Sequence, residues 1–115
     1  MIFVIEDDLV MANCIARACK KDTKIFSNAI EAMGEIVTGE VPSLIFLDIL
    51  LDGPDGITFL NELVSYDDTK KIPVVVTSSF DYSKKDLSHY GVVGYLDKDT
   101  MTPQEIYNYV EKFAK

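Results

Sequence analysis

The chain has few cysteines, few basic residues and no long apolar run. Its two cysteines, Cys14 and Cys19, lie on different faces of a predicted helix, so they predict neither a disulfide nor a metal site. Lys and Arg total 11 against 19 Asp and Glu, for a formal net charge of -8. This balance argues against direct binding to nucleic acid or to an acidic membrane surface, whereas a basic protein partner or a cation is compatible with it.

The absence of targeting features favours a cytoplasmic protein. No apolar run approaches the ~20 residues that span a membrane. The segment 1–8 lacks the basic flank and the long apolar stretch of a signal peptide. The single histidine, His89, falls in a polar segment, and we expect no functional role for it. No linker, repeat or low-complexity segment interrupts the chain, so its 115 residues predict one domain spanning 1–115.

Short apolar runs alternate with amphipathic stretches along the chain. The predicted strands are 2–5, 24–27, 44–48, 74–77 and 92–96. The predicted helices are 9–20, 28–38, one after the turn at 52–56, a weaker polar one over 83–90, and one that begins at Thr102. Strict alternation with apolar strands indicates a parallel sheet covered by helices on both faces. Five strands favour the flavodoxin-like (βα)5 doubly wound α/β fold with strand order 2-1-3-4-5.

Asp48 closes the most apolar run of the chain, 44–47. A buried, unpaired carboxylate costs several kcal/mol, so such a residue is normally neutralised, paired or bound to a metal. In a doubly wound sheet, ligands bind beyond the carboxyl ends of the strands, at the switch point between strands 1 and 3. That rule brings Asp48 together with residues at the carboxyl ends of the other strands. Glu6 and Asp7 follow strand 1, Thr77 ends strand 4, and Lys98 follows strand 5.

These side chains form a set suited to phosphoryl transfer. Three carboxylates in one cleft repel one another, and a hard cation such as Mg²⁺, which prefers oxygen ligands, relieves that repulsion. Lys98 supplies a positive charge for a carboxylate or a phosphoryl oxygen, and Thr77 supplies a hydroxyl donor. A carboxylate nucleophile, Asp48, beside a metal and a lysine predicts a phosphoryl-transfer site.

Several motifs occur in order along the chain: Val4-Ile5-Glu6-Asp7-Asp8, Ile45-Phe46-Leu47-Asp48, Asp55-Gly56, Pro73-Val74-Val75-Val76-Thr77-Ser78 and Gly94-Tyr95-Leu96-Asp97-Lys98. With these motifs the chain resembles the receiver domain of bacterial two-component response regulators over its whole length. Its layout is similar to that of single-domain regulators of chemotaxis and sporulation.

The resemblance implies a role for each residue of the site. Asp48 is expected to be the phosphoacceptor, and Lys98 to bridge to the phosphoryl group. Asp7 is expected to bind Mg²⁺ directly and Glu6 through water. The backbone carbonyl of Leu50 is expected to complete the protein ligands. The domain would not be a conventional enzyme, although it would catalyse its own aspartyl phosphorylation and dephosphorylation.

The resemblance also implies a switch. Thr77 is expected to move toward the phosphoryl oxygen, and Tyr95 to turn into the vacated space. The surface formed by 83–90, the fifth strand and the last helix would then change shape for a downstream protein partner. The expected phosphoryl donor is a sensor histidine kinase or a phosphotransfer domain. We expect a monomer or a weak dimer that contacts neither nucleic acid nor a membrane.

The chain departs from the family pattern near the lysine and the acceptor. Asp99 stands where the family usually has proline, and a non-proline cis bond is costly, so a trans bond is expected there. Asp97 and Asp99 also flank Lys98 with negative charge. The resemblance implies that Leu50 and Ser79 occupy positions that modulate loss of the phosphoryl group. Neither side chain offers an amide or carboxylate to orient an attacking water, which predicts slow self-dephosphorylation.

Alternative functions remain at this point. A pseudo-receiver that binds a protein without phosphorylation is supported by Asp99 and by the acidic flank of Lys98. A phosphohydrolase of the haloacid dehalogenase type is disfavoured, because it needs a second Asp two residues after the nucleophile, where this chain has Leu50. We expect a stand-alone receiver, and the excised receiver of a longer regulator is the alternative.

Overall fold

Strands and helices alternate as predicted in the computed structural model, which describes residues 1–49, 56–79 and 87–114. The strands are β1 (Ile2–Ile5), β2 (Thr23–Phe26), β3 (Leu44–Asp48), β4 (Val74–Ser78) and β5 (Val92–Asp97). The helices are α1 (Leu9–Cys19), α2 (Ala29–Thr38), α3 (Gly56–Val64) and α4 (Pro103–Phe113), with a 3₁₀ turn at Ser88–Tyr90. The predicted turn at 52–56 and helix at 83–90 lie largely outside the described residues.

All neighbouring strands are parallel, in the order β2-β1-β3-β4-β5. This confirms the predicted flavodoxin-like topology. Both faces of the sheet are buried, which explains why its central strands are apolar throughout. Alternate residues of β1 belong to opposite cores: Phe3 and Ile5 join the core that includes α2 and α3, whereas Ile2 and Val4 join the core that includes α1 and α4.

Local signals set the ends of the helices. Asp8 caps α1 by accepting hydrogen bonds at Oδ1 from the amides of Val10 and Met11, at 3.0 and 3.2 Å. The helix ends at Cys19 rather than at the predicted Lys20, because Lys20 adopts a left-handed conformation with φ of 56°. At α4, which begins after Thr102 as predicted, Thr102 forms a capping box with Glu105.

Two expectations from the apolar pattern differ from the structure. Strand β2 lies one residue earlier than predicted, because Phe26 pairs with Ile5 at the end of β1. For α2 the apolar spacing predicts a buried stripe of Ile30, Met33, Ile36 and Val37. The helix instead buries Ala29, Ala32 and Ile36, whereas Ile30 and Val37 are 65% and 76% exposed. No helix in the described part of the chain is long and apolar enough to cross a membrane.

Candidate functional site

The carboxyl ends of four strands bring the predicted site residues together. Glu6 directly follows β1, Asp48 ends β3, Thr77 lies near the end of β4, and Lys98 directly follows β5. Asp48 and Thr77 are partners in the β3–β4 register. The Lys98 amide donates to the Ser78 carbonyl at 2.9 Å, so the ladder between β4 and β5 continues into the site.

Lys98 is the electrostatic centre of this group. Its Nζ lies 2.5 Å from Glu6 Oε1 and 3.0 Å from Asp48 Oδ2. Glu6 and Asp48 are only 2% and 4% exposed, and both of these buried carboxylates are paired with the Lys98 ammonium group. The second oxygen of Glu6, Oε2, accepts a hydrogen bond from the Asp8 amide at 3.2 Å. Removing the lysine would leave two buried acids without their cation, which is strongly destabilising.

The pKa values of this pair reflect the balance between burial and charge. Desolvation raises the pKa of Glu6 to about 7, although the hydrogen bond from Lys98 acts in the opposite direction. Burial acts to lower the pKa of Lys98, but its hydrogen bonds to Glu6 and Asp48 outweigh burial and raise that pKa. Lys98 therefore stays charged at neutral pH, whereas Glu6 gains and loses its proton near neutrality.

Three carboxylates are placed to share a cation. One oxygen from each of Glu6, Asp7 and Asp48 lies within 4.8 Å of the others. Asp7 is exposed, so the cluster opens to solvent on one side. An all-oxygen donor set with an open side fits Mg²⁺, which keeps several waters when bound to proteins. Leu50, the predicted source of a carbonyl ligand, lies outside the described residues.

The predicted switch residues occupy neighbouring positions on β4 and β5. Thr77 is 1% exposed, and its Oγ1 has no hydrogen-bond partner among the residues that the structure describes. A buried hydroxyl without a partner is costly, so an oxygen atom that accepts a hydrogen bond from Thr77 would be stabilising. Tyr95 is half-buried against the core that includes α2 and α3, and its hydroxyl accepts a hydrogen bond from the Leu87 amide at 3.3 Å.

Two contributions to the site are not evident from sequence reasoning. Gly56 begins α3 against the end of β3, where its amide donates to the Ile49 carbonyl at 3.2 Å. A Cβ at position 56 would lie 2.8 Å from Ile49 Cα. Asp97, considered only as a negative charge, accepts a hydrogen bond at Oδ1 from the Asp99 amide at 2.8 Å. The two Asp residues around Lys98 are compatible with a turn, but their spacing does not indicate which atoms the hydrogen bond joins.

The remaining sequence expectations concern one peptide bond, the two cysteines and the histidine. The Lys98–Asp99 peptide bond is trans, as expected. Cys14 and Cys19 are both free thiols, one exposed and one buried. His89 is exposed, and its ring lies 4.0 Å from that of Tyr90.

Comparisons with known proteins agree with this geometry. The family model of the response regulator receiver domain matches residues 2–111. None of the curated protein sequences compared with the chain matches it significantly.

Solved structures are similar over nearly the whole chain. The receiver domain of NtrX from Brucella abortus has a TM-score of 0.83 at 24% identity, covering 97% of this chain and 96% of that one. The phosphorylated cyanobacterial phytochrome response regulator RcpA has a TM-score of 0.80 at 26% identity, covering 99% and 93%. The Mn²⁺-bound form of response regulator Rcp1 has a TM-score of 0.72 at 25% identity, covering 96% and 88%. With the family model matching residues 2–111, the chain belongs to the response regulator receiver domain family.

Proposed function

We propose that the chain is a phosphorylation-operated switch of a two-component phosphorelay, with Asp48 as its acceptor. The observation that carries this proposal is the ammonium group of Lys98 held between the buried carboxylates of Glu6 and Asp48, at 2.5 and 3.0 Å. A structural ion pair needs only one acid. Two acids on one lysine, with Asp7 beside them, form a site whose negative charge calls for a further cation.

The transfer step follows from the chemistry of these groups. A carboxylate oxygen of Asp48 attacks the phosphorus of a phosphohistidine, the phosphorus–nitrogen bond breaks, and the imidazole keeps its electron pair. The product is an aspartyl phosphate. Lys98 balances the added negative charge, and the Thr77 hydroxyl donates to a phosphoryl oxygen. The phosphoryl donor is a sensor histidine kinase or a phosphotransfer domain, which places the protein in the cytoplasm.

Glu6, Asp7 and Asp48 would hold Mg²⁺, with Leu50 as the source of a backbone carbonyl. Bound there, the ion would neutralise charge on the phosphoryl oxygens during transfer. The oxygen cluster within 4.8 Å supports this assignment, and the similar Rcp1 was solved with Mn²⁺ bound. The similarity to RcpA, which was solved in a phosphorylated form, supports phosphorylation of Asp48 in the same way.

Signalling would use Thr77 and Tyr95. When Thr77 turns toward a phosphoryl oxygen, Tyr95 gives up its hydrogen bond with the Leu87 amide and turns inward. That exchange alters the surface formed by 83–90, β5 and α4, which a downstream protein partner reads. The expected monomer or weak dimer and the single domain over 1–115 stay predictions.

Acetyl phosphate with Mg²⁺ tests the acceptor directly. The wild-type chain should gain one phosphoryl group by intact-mass measurement, and Asp48→Asn should gain none. Asp22→Asn is the matched control, because Asp22 is an exposed acid at the opposite end of the sheet. Its backbone carbonyl accepts a hydrogen bond from the Ile2 amide there. A wild-type chain that gains no group from acetyl phosphate and binds no beryllofluoride contradicts the proposal. It would favour a phosphorylation-independent binding module instead.

A further inference from the structure

The turn between β5 and α4 holds the backbone of Lys98 on both sides. The Lys98 amide donates a hydrogen bond to the Ser78 carbonyl at 2.9 Å. The next amide, that of Asp99, donates to Asp97 Oδ1 at 2.8 Å. The Asp97 carbonyl also accepts hydrogen bonds from Thr100 and Met101, at 3.2 and 2.8 Å. Asp97 therefore closes the turn with both its side chain and its main chain.

This backbone anchoring matters because a lysine side chain is long and flexible. Its ammonium group reaches the correct place only if the backbone at Lys98 aims the side chain into the cleft, and a small rotation there displaces the ammonium over the length of the side chain. The Asp97 side chain restricts such a rotation, because its Oδ1 accepts a hydrogen bond from the Asp99 amide at 2.8 Å.

The carboxylate of Asp97 contacts the turn, whereas the ammonium of Lys98 contacts other acids. Asp97 is exposed, and its carboxylate accepts a hydrogen bond from the Asp99 amide. Lys98 Nζ is bound instead by Glu6 and Asp48. The geometry therefore favours a structural effect of Asp97 on the lysine over a direct effect of its charge.

We propose that Asp97 is a positioning residue for Lys98: its carboxylate, bonded to the Asp99 amide, holds the turn in the form that places the ammonium between Glu6 and Asp48. The effect of this positioning on phosphorylation rests on the proposed function. Its effect on the geometry of the lysine does not.

Three variants separate hydrogen bonding from charge. Asp97→Asn keeps an acceptor oxygen and removes the charge, Asp97→Ala removes both, and Asp99→Asn removes a neighbouring charge but keeps the amide donor. With acetyl phosphate and saturating Mg²⁺, Asp97→Ala should react about tenfold more slowly, because misplaced catalytic groups cost rate. Asp97→Asn and Asp99→Asn should stay within about twofold of the wild type. Asp97→Ser, with a weaker acceptor, should fall between them.

Amide NMR of the unphosphorylated, metal-free chain gives a readout that needs no activity. In Asp97→Ala the amide signals of Glu6 and Asp48 should shift together with that of Asp99, whereas in Asp97→Asn those of Glu6 and Asp48 should stay in place. A dispersed spectrum establishes that each variant is folded, and Asp97→Ser serves if the alanine variant is not.

Two results would overturn the positioning role. One is a wild-type rate in Asp97→Ala with unshifted Glu6 and Asp48 signals. The other is an equal change in Asp97→Ala and Asp97→Asn, which would assign the effect to charge. A wild-type chain that takes no phosphoryl group contradicts the proposed function alone, since the amide shifts still decide the positioning of Lys98.

Discussion

At the scale of single residues, Glu6 makes the stability of the fold depend on pH. Its pKa is about 7 in the folded chain against an ordinary 4.5, because burial disfavours the carboxylate. Between those values the folded chain holds a proton that the unfolded chain has lost. This group therefore stabilises the fold at lower pH, and that stabilisation is lost as pH rises toward 7.

We expect Glu6→Gln to flatten this pH dependence. In EDTA, the wild-type chain should lose on the order of 2 kcal/mol of unfolding free energy through this group between pH 5 and pH 8, because its ionisation opposes folding. Glu6→Gln should lack that component in urea unfolding at the two pH values. Glu62→Gln, an exposed acid on α3, is the control and should follow the wild type. If the unfolding free energy of Glu6→Gln changes between pH 5 and pH 8 as much as that of the wild type, Glu6 does not titrate in this range.

Leu50 is predicted to slow the loss of the phosphoryl group. An apolar side chain there cannot orient water toward the phosphorus, so Leu50→Asn should shorten the lifetime of the aspartyl phosphate by roughly tenfold. The decay is followed by intact mass after the donor is removed. Leu9→Asn, which alters an exposed apolar residue at the start of α1, should leave the decay unchanged. An unchanged lifetime of the aspartyl phosphate in Leu50→Asn would contradict the proposed role of Leu50.

Residue types and spacing were sufficient to predict that Glu6, Asp7, Asp48 and Lys98 meet at one edge of the sheet. Acids and a lysine placed directly after buried strands have few other locations in a parallel sheet. The hydrogen bonds of Asp97 and Tyr95 were not predictable in the same way. An exposed Asp can bind its own turn or face water, and only the backbone torsions of the turn decide between them.

At the scale of elements, the start of α3 depends on a close approach that only glycine permits. A Cβ on Gly56 would come within 2.8 Å of Ile49 Cα, so Gly56→Ala must displace backbone at the end of β3. We expect a loss of roughly 1–3 kcal/mol in unfolding free energy, as for other overpacked sites. Chemical denaturation measures it.

Gly34 provides the matched control for this substitution. It is exposed within α2, and a Cβ there would meet nothing within 4 Å. Gly34→Ala should therefore stabilise the chain by about 0.5–1 kcal/mol, through the better helix propensity of alanine. If both alanine variants change stability in the same direction, the close contact at Ile49 is not the cause.

The elements were predicted best where the pattern was least ambiguous. Strands β1 and β3 are apolar throughout with distinct ends, and their predicted bounds are those observed. Strand β2 is short and mixed in character, so only its pairing with β1 sets its ends. The buried face of α2 was obscured because Ile30 and Val37 are more hydrophobic than the alanines that contact the core.

At the scale of the whole molecule, the net charge of -8 makes a bound divalent cation stabilising beyond its local contacts. At a Mg²⁺ concentration ten times its Kd, the unfolding free energy should rise by about 1.4 kcal/mol through linkage. Thermal unfolding in Mg²⁺ is compared with unfolding in NaCl of matched ionic strength. Asp7→Asn should lose most of the gain. An equal gain in NaCl would assign the effect to screening.

The topology was the most predictable property of the molecule. Alternation of apolar strands and helices, with one switch point, allows few arrangements, and the observed order β2-β1-β3-β4-β5 is the expected one. The segment 80–86 falls outside the described residues, so the predicted helix over 83–90 and its part in the partner surface stay predictions.

The placement of Lys98 after the last strand has a consequence for synthesis on the ribosome. A nascent chain exposes Glu6, Asp7 and Asp48 long before the lysine that balances Glu6 and Asp48 leaves the exit tunnel. Until then, pairing β1 with β3 would bury two acids without their cation. Stalled nascent chains should therefore take up a phosphoryl group only once residue 98 has emerged, so a phosphoryl donor could not act on an unfinished copy of the protein.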